Sequence, residues 1–173
     1  MQEKFYSCTF LQNDYTESDE ILRCVAYYRF RSSKSRLFYI VRIEQYDQHV
    51  YGVKFYLKKM QNSPRKYSYL TNTYEPRTIV YTIFQLMKQI LSSDPRATFM
   101  FVGNADEGKS NNNTRRYRLY CALVRNCISD VYFKHIRNDK HSFYILTNRI
   151  QMEDNPFFPN EIINKFVDRF LWE

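Results

Sequence analysis

The apolar residues of this chain change period near residue 60, and that change restricts the folds open to it. Between Ile21 and Lys58 they recur at every second position, the repeat of a strand with two unlike faces. In Ile21 to Arg31, Leu22, Cys24, Ala26, Tyr28 and Phe30 point one way, and Arg23, Val25, Tyr27, Arg29 and Arg31 the other. A polar turn, Ser32-Ser33-Lys34-Ser35-Arg36, leads into a second run from Leu37 to Glu44. A third run, Val50 to Lys58, sets Tyr51, Val53, Phe55 and Leu57 against Lys54, Tyr56 and Lys58. Phe5 to Phe10 adds an edge strand. The pattern predicts an antiparallel meander with one core face and one wetter face.

Beyond Pro76 the apolar spacing is helical. Ile79, Val80, Ile83, Phe84, Met87, Ile90 and Leu91 form a stripe. Pro76 suits the first turn, and Ser92-Ser93-Asp94-Pro95 closes it. Thr98 to Val102 reads as a short buried strand. Thr114 to Ile128 reads as a second helix with Tyr117, Tyr120, Cys121, Val124 and Ile128 inward. Val131 to Ile136 and Ser142 to Thr147 make a hairpin around Asn138-Asp139-Lys140. A last helix runs from about Pro159 to Leu171 on Ile162, Ile163, Phe166, Val167 and Phe170. The expected fold is α+β: an N-terminal antiparallel β-meander followed by α-β-α-β-β-α, with residues 1–173 as one domain.

Composition removes other classes. Apolar residues are 44% and aromatics 18% of the 173 residues, too many for a disordered chain. Three Gly and five Pro exclude linker-rich and collagen-like designs. No apolar run approaches the ~20 residues that span a bilayer, so no membrane partner is expected. The start Met1-Gln2-Glu3-Lys4-Phe5 lacks the basic-then-apolar layout of a secretory signal, which favours a cytoplasmic product. Cys8, Cys24, Cys121 and Cys127 contain no C-x-x-C pair and read as reduced thiols.

The net charge of +8, from 26 Lys and Arg against 18 Asp and Glu, points to an anionic partner. Two surfaces concentrate it. The wetter face of the meander carries Arg23, Tyr27, Arg29, Arg31, Lys54, Tyr56 and Lys58, with Arg42 on the same face if the register allows. Arg36, Arg65 and Lys66 flank it in turns. Cations that attract phosphates and rings on which unpaired bases stack suit single-stranded nucleic acid. Tyr and Arg also populate protein interfaces, and Val25 on this face fits a covering helix. The second surface is a candidate anion site at Lys109, Arg115, Arg116 and Arg118, continued along the helix by Arg125. Its competing reading is neutralisation in cis by Asp106 and Glu107.

Gly103-Asn104-Ala105-Asp106-Glu107-Gly108-Lys109-Ser110 matches the phosphate-loop pattern G-x-x-x-x-G-K-[ST] between a strand and a helix. Two acids in a loop meant to cradle a polyanion count against a nucleotide site, as does a preceding antiparallel meander where parallel βαβ units are the rule. The other reading is a polar loop, with Gly108 permitting positive φ and Asn111 to Thr114 capping the helix.

Catalytic patterns are sparse. His49, His135 and His141 are scattered, although His135 and His141 could face one another across the last hairpin near Asp139. No metal site or cofactor is expected. A metal-independent nuclease working through Arg, Lys and Tyr is compatible with the residues present.

The strand Phe99-Met100-Phe101-Val102, the turn Asp106-Glu107-Gly108-Lys109 and the helix Arg115-Arg116-Tyr117-Arg118-Leu119-Tyr120 form one series of motifs. With Phe143-Tyr144, Asp154-Asn155-Pro156 and the terminal helix, the stretch from Thr98 to Phe170 resembles a family of small bacterial proteins, a domain of unknown function. In that family the turn is similar to Asp-Gly-basic, which implies that the full phosphate-loop match is fortuitous. The resemblance implies no activity and no site residues. The reading is a basic bacterial binding protein whose partner is nucleic acid first. The alternatives are a protein-interaction module meeting an acidic partner, such as a toxin–antitoxin or immunity component, the small nuclease, and nucleotide binding through Gly103 to Ser110. Oligomeric state is not legible.

Overall fold

A computed structural model describes residues 4–68, 74–106 and 108–172. The alternating segments form β1 (Thr9–Asp14), β2 (Leu22–Arg31), β3 (Phe38–Tyr46) and β4 (Val50–Leu57), each antiparallel to the next. The edge strand starts later than Phe5. The Tyr6 N–H donates to Thr82 Oγ1 and its hydroxyl to Glu75, which ties the preceding residues to the first helix instead of to β2.

That helix, α1 (Pro76–Ser93), is a crossover. It returns the chain so that β5 (Thr98–Val102) lies parallel to β4, pairing Val50–Val53 with Thr98–Phe101. After α2 (Arg115–Cys127), the hairpin β6 (Phe133–Asn138) and β7 (Phe143–Asn148) completes one seven-stranded sheet in the order β1-β2-β3-β4-β5-β7-β6. The meander and the later strands are thus one mixed sheet, and the α+β expectation holds. A short helix, α3 (Arg149–Asp154), lacks an apolar stripe and is not foreseen; Asn148 caps it by accepting the Ile150 N–H.

Each face of the sheet has its own core. Ala26, Phe30, Tyr39, Val41, Ile43, Val53, Phe99 and Phe101 pack beneath α1 and α2. On the opposite face Leu22, Val25, Tyr46, Val50, Met100, Phe143 and Ile145 pack beneath the C-terminal helical segment. That segment comprises α4 (Phe158–Ile162), a π-helical turn (Ile163–Val167) and α5 (Asp168–Trp172). The wide turn shifts the helical phase. Phe158, Ile162, Phe166, Val167 and Phe170 are buried, whereas Ile163, expected inside, is exposed. Among the described residues no helix is long and apolar enough to cross a membrane.

Candidate anion-binding site

The register aligns the basic face in rows. Tyr27, Arg42 and Lys54 lie side by side across three strands, then Arg29, Ile40 and Tyr56, with Arg31 beside Phe38 at the end. Arg42 therefore takes the position expected of it. The face is not an open platform, however. The C-terminal segment covers the half that contains Val25, and the cations divide into a buried set and an exposed set.

The buried set centres on Glu44, which has no solvent exposure. Its Oε1 accepts from Arg42 Nε and Lys54 Nζ, both at 3.0 Å, and its Oε2 accepts from the Tyr46 hydroxyl at 2.7 Å. Arg42 also donates to Glu17 through Nη2 at 2.5 Å and to the Tyr27 hydroxyl through Nη1 at 2.9 Å. Burial alone would weaken the Arg42 charge, but Glu17 and Glu44 overcome it and its pKa is raised. The hydrogen bond from Arg42 in turn holds Glu17 below the usual carboxylate range. Lys54 and Tyr56 were expected on an accessible surface; both are buried, because Lys54 serves Glu44 and the 58–68 loop brings Tyr67 against Tyr56.

Beside this set lies a polar cleft of about 640 Å³, bordered by Glu17, Arg42, Glu44, Lys54, Lys66 and Arg169, among others. Arg169 is paired with Asp19. Lys66 meets no carboxylate among the described residues; its ammonium sits over the rings of Tyr56 (4.8 Å) and Tyr67 (5.3 Å). Burial, reinforced by the charges of Arg42 and Lys54, lowers the Lys66 pKa.

The more exposed set, in which Arg29 is half-buried and Arg31 and Lys58 are exposed, surrounds Phe38. Arg29, Arg31 and Lys58 place their charges 5.2, 5.4 and 5.8 Å from the centroid of its ring, which is 38% exposed. None of the three forms an ion pair among the described residues. Sequence reasoning named the three cations and missed Phe38, although counting back by twos from Arg42 reaches it. Arg23 stands apart. It lies at the far end of β2, about 26 Å from Arg31 at ~3.3 Å per residue, and pairs with Asp47 at 2.7 Å.

The phosphate-loop match adopts another geometry. The loop's last residue, Ser110, precedes the first turn of α2 by several residues, and Thr114 caps that helix by accepting the Tyr117 N–H. The Tyr117 and Arg118 N–H groups at the helix start are engaged by Thr114, and Lys109 precedes that helix instead of opening it as the phosphate-loop lysine does. Gly108 does take φ +76, but Lys109 is exposed in a turn whose N–H bonds Asp106 O. Arg116 is taken up by Asp106 at 3.2 Å and by the carbonyls of Tyr67, Ser68 and Asn104. Arg118 donates to Asn113 O at 2.6 Å, and Arg115 is exposed. Of the four cations only Arg116 is half-buried; Lys109, Arg115 and Arg118 are exposed. Glu107, the second acid of the pattern, lies outside the described residues.

His135 and His141 do not face one another. The former pairs across the hairpin with Leu146 and shares a 2.6 Å hydrogen bond with the Tyr144 hydroxyl, while the latter sits in the turn. Burial lowers the His135 pKa despite the nearby Asp130. All four cysteines are free thiols, and burial pushes that of Cys8 up to about 11. Among the described residues no three His, Cys, Asp or Glu side chains gather in a group that could hold a metal. Comparisons with known protein families, characterised proteins and solved structures return no match to this chain.

Proposed function

We propose that the chain binds single-stranded nucleic acid at the exposed end of the basic face. Arg29, Arg31 and Lys58 meet phosphates and Phe38 stacks on a base. The observation that carries this reading is the accessible Phe38 ring inside three cations that form no ion pair among the described residues. Cations around an unpaired ring are the two elements that a sequence-tolerant strand binder combines. The net charge of +8 adds long-range attraction.

Fluorescence anisotropy with a labelled single-stranded RNA or DNA tests the reading. Three phosphate contacts predict a slope of log affinity on log salt of about −2, at ~0.7 per phosphate. Arg29→Glu weakens binding and flattens the slope, and Phe38→Ala costs about 1–3 kcal/mol. An unlabelled duplex competes less well. Binding that is absent at physiological ionic strength overturns the reading. A loss with Arg29→Glu alongside a silent Phe38→Ala would instead mark an acidic protein as the natural occupant.

A further inference from the structure

The β4–β5 ladder ends at Val53 and Phe101, because the chain leaves β5 for the loop beginning at Gly103. Among the described residues no strand pairs with Lys54 to Leu57 on that side. Between that end of β4, α1 and α2 lies a cavity of about 490 Å³. Its walls include Val53, Phe55, Ile83, Phe84, Leu119 and Tyr120. Well-packed interiors leave few voids larger than a water molecule, whereas sites for small organic ligands measure about 300–1,000 Å³.

The two spaces share three lining residues. Lys54, Lys66 and Tyr67 border both the apolar cavity and the polar cleft on the opposite face. Within the cleft the charges of Arg42 and Lys54 are matched by Glu17 and Glu44, and Arg169 is matched by Asp19. Among the described residues Lys66 is the cleft cation without an ion-paired carboxylate, and it borders both spaces. From this junction we infer a second binding site, for a small amphiphile with one apolar chain and an anionic head. The chain lies between α1, α2 and the Lys54–Leu57 end of β4, and the head meets Lys66 Nζ. An anion at Lys66 would counter the burial and like-charge repulsion that lower its pKa. An uncharged ligand would leave that repulsion in place. The exposed Arg115 at the rim of the cavity adds positive charge. This site is separate from the Phe38 surface and does not rest on the nucleic-acid reading.

Isothermal titration with decanoate, decyl phosphate, decanol and inorganic phosphate tests it. Decanoate or decyl phosphate should bind at one per chain; which of the two binds more tightly identifies the head, and either result supports the site. Decanol should bind at least about tenfold more weakly, and inorganic phosphate should not compete. Lys66→Met should abolish the preference for a charged head, and Leu119→Trp, which fills the cavity, should abolish binding of all three chains. Phe38→Ala should change none of these affinities, which separates failure here from failure of the nucleic-acid reading. No binding below about millimolar concentration overturns the inference, as does decanol binding as tightly as decanoate. A charged-head preference that survives Lys66→Met also overturns it. That replacement is at a half-buried loop position, so the test stands even if Leu119→Trp fails to fold.

Discussion

Glu44, itself fully buried, holds two cations and a hydroxyl, and its neighbours are built around that role. A Cβ on Gly52 would stand 2.6 Å from Phe170 and 3.0 Å from a Glu44 oxygen, so the close approach of α5 to this carboxylate requires glycine there. The Lys54 ammonium completes the arrangement, 4.6 Å from the centroid of the Phe170 ring. Removing one member of a buried ion set strands the others without their counter-charge. Glu44→Ala is therefore expected to cost about 3–5 kcal/mol, read from urea unfolding. Glu44→Gln should cost less, since it keeps an acceptor for one of the two cations. A loss under about 0.5 kcal/mol for Glu44→Ala, typical of surface positions, would show that the cluster is solvated.

At the scale of elements, α2 shows how a sequence motif and its geometry part company. Thr114 accepts the Tyr117 N–H at its hydroxyl, donates its own N–H to Ser142 Oγ, and donates its hydroxyl to Gly103 O. Gly103 is required because a Cβ there would collide with the Tyr117 backbone. The glycine and the residues before the helix are thus occupied in joining β5 to α2. Thr114→Ala is expected to lower stability by about 1 kcal/mol or more, and Thr114→Ser to restore most of it, in thermal or urea melts. Lys109→Ala, in the exposed turn, should leave both unchanged. A larger effect at Lys109 than at Thr114 would contradict the assignment of the cap.

At the scale of the molecule, the C-terminal segment converts a one-sided sheet into a two-sided one. Without it seven apolar side chains, Leu22, Val25, Tyr46, Val50, Met100, Phe143 and Ile145, would lose their cover. Truncation after Asn155 should therefore abolish the cooperative thermal transition and raise binding of the dye ANS. A truncated chain with a cooperative melt near that of the full chain would show the second core to be dispensable.

The amino-acid sequence by itself determined β2 to β4 of the meander, the three long helical segments and the parity of most side chains. Leu22, expected on the Ala26 side, lies instead in the opposite core with Val25, because the β2–β3 register shifts between Leu22 and Cys24. The elements and the parity follow from the local periods of two and 3.6, so Arg29, Arg31 and Lys58 fall on a common face and Thr114 falls at a helix start. The identity of the site was only partly legible for the same reason. Period gives the side of a strand on which a residue lies, but not what lies opposite it. Only the tertiary structure decided that Lys54 faces a buried Glu44, that Arg23 lies far from Arg31, and that β5 inserts parallel to β4. Those outcomes depend on contacts between residues distant in the chain, and local patterning carries no information about which distant segment arrives. The long-range packing of α5 hides half of the face, and the early end of the β4–β5 ladder opens the cavity beside it.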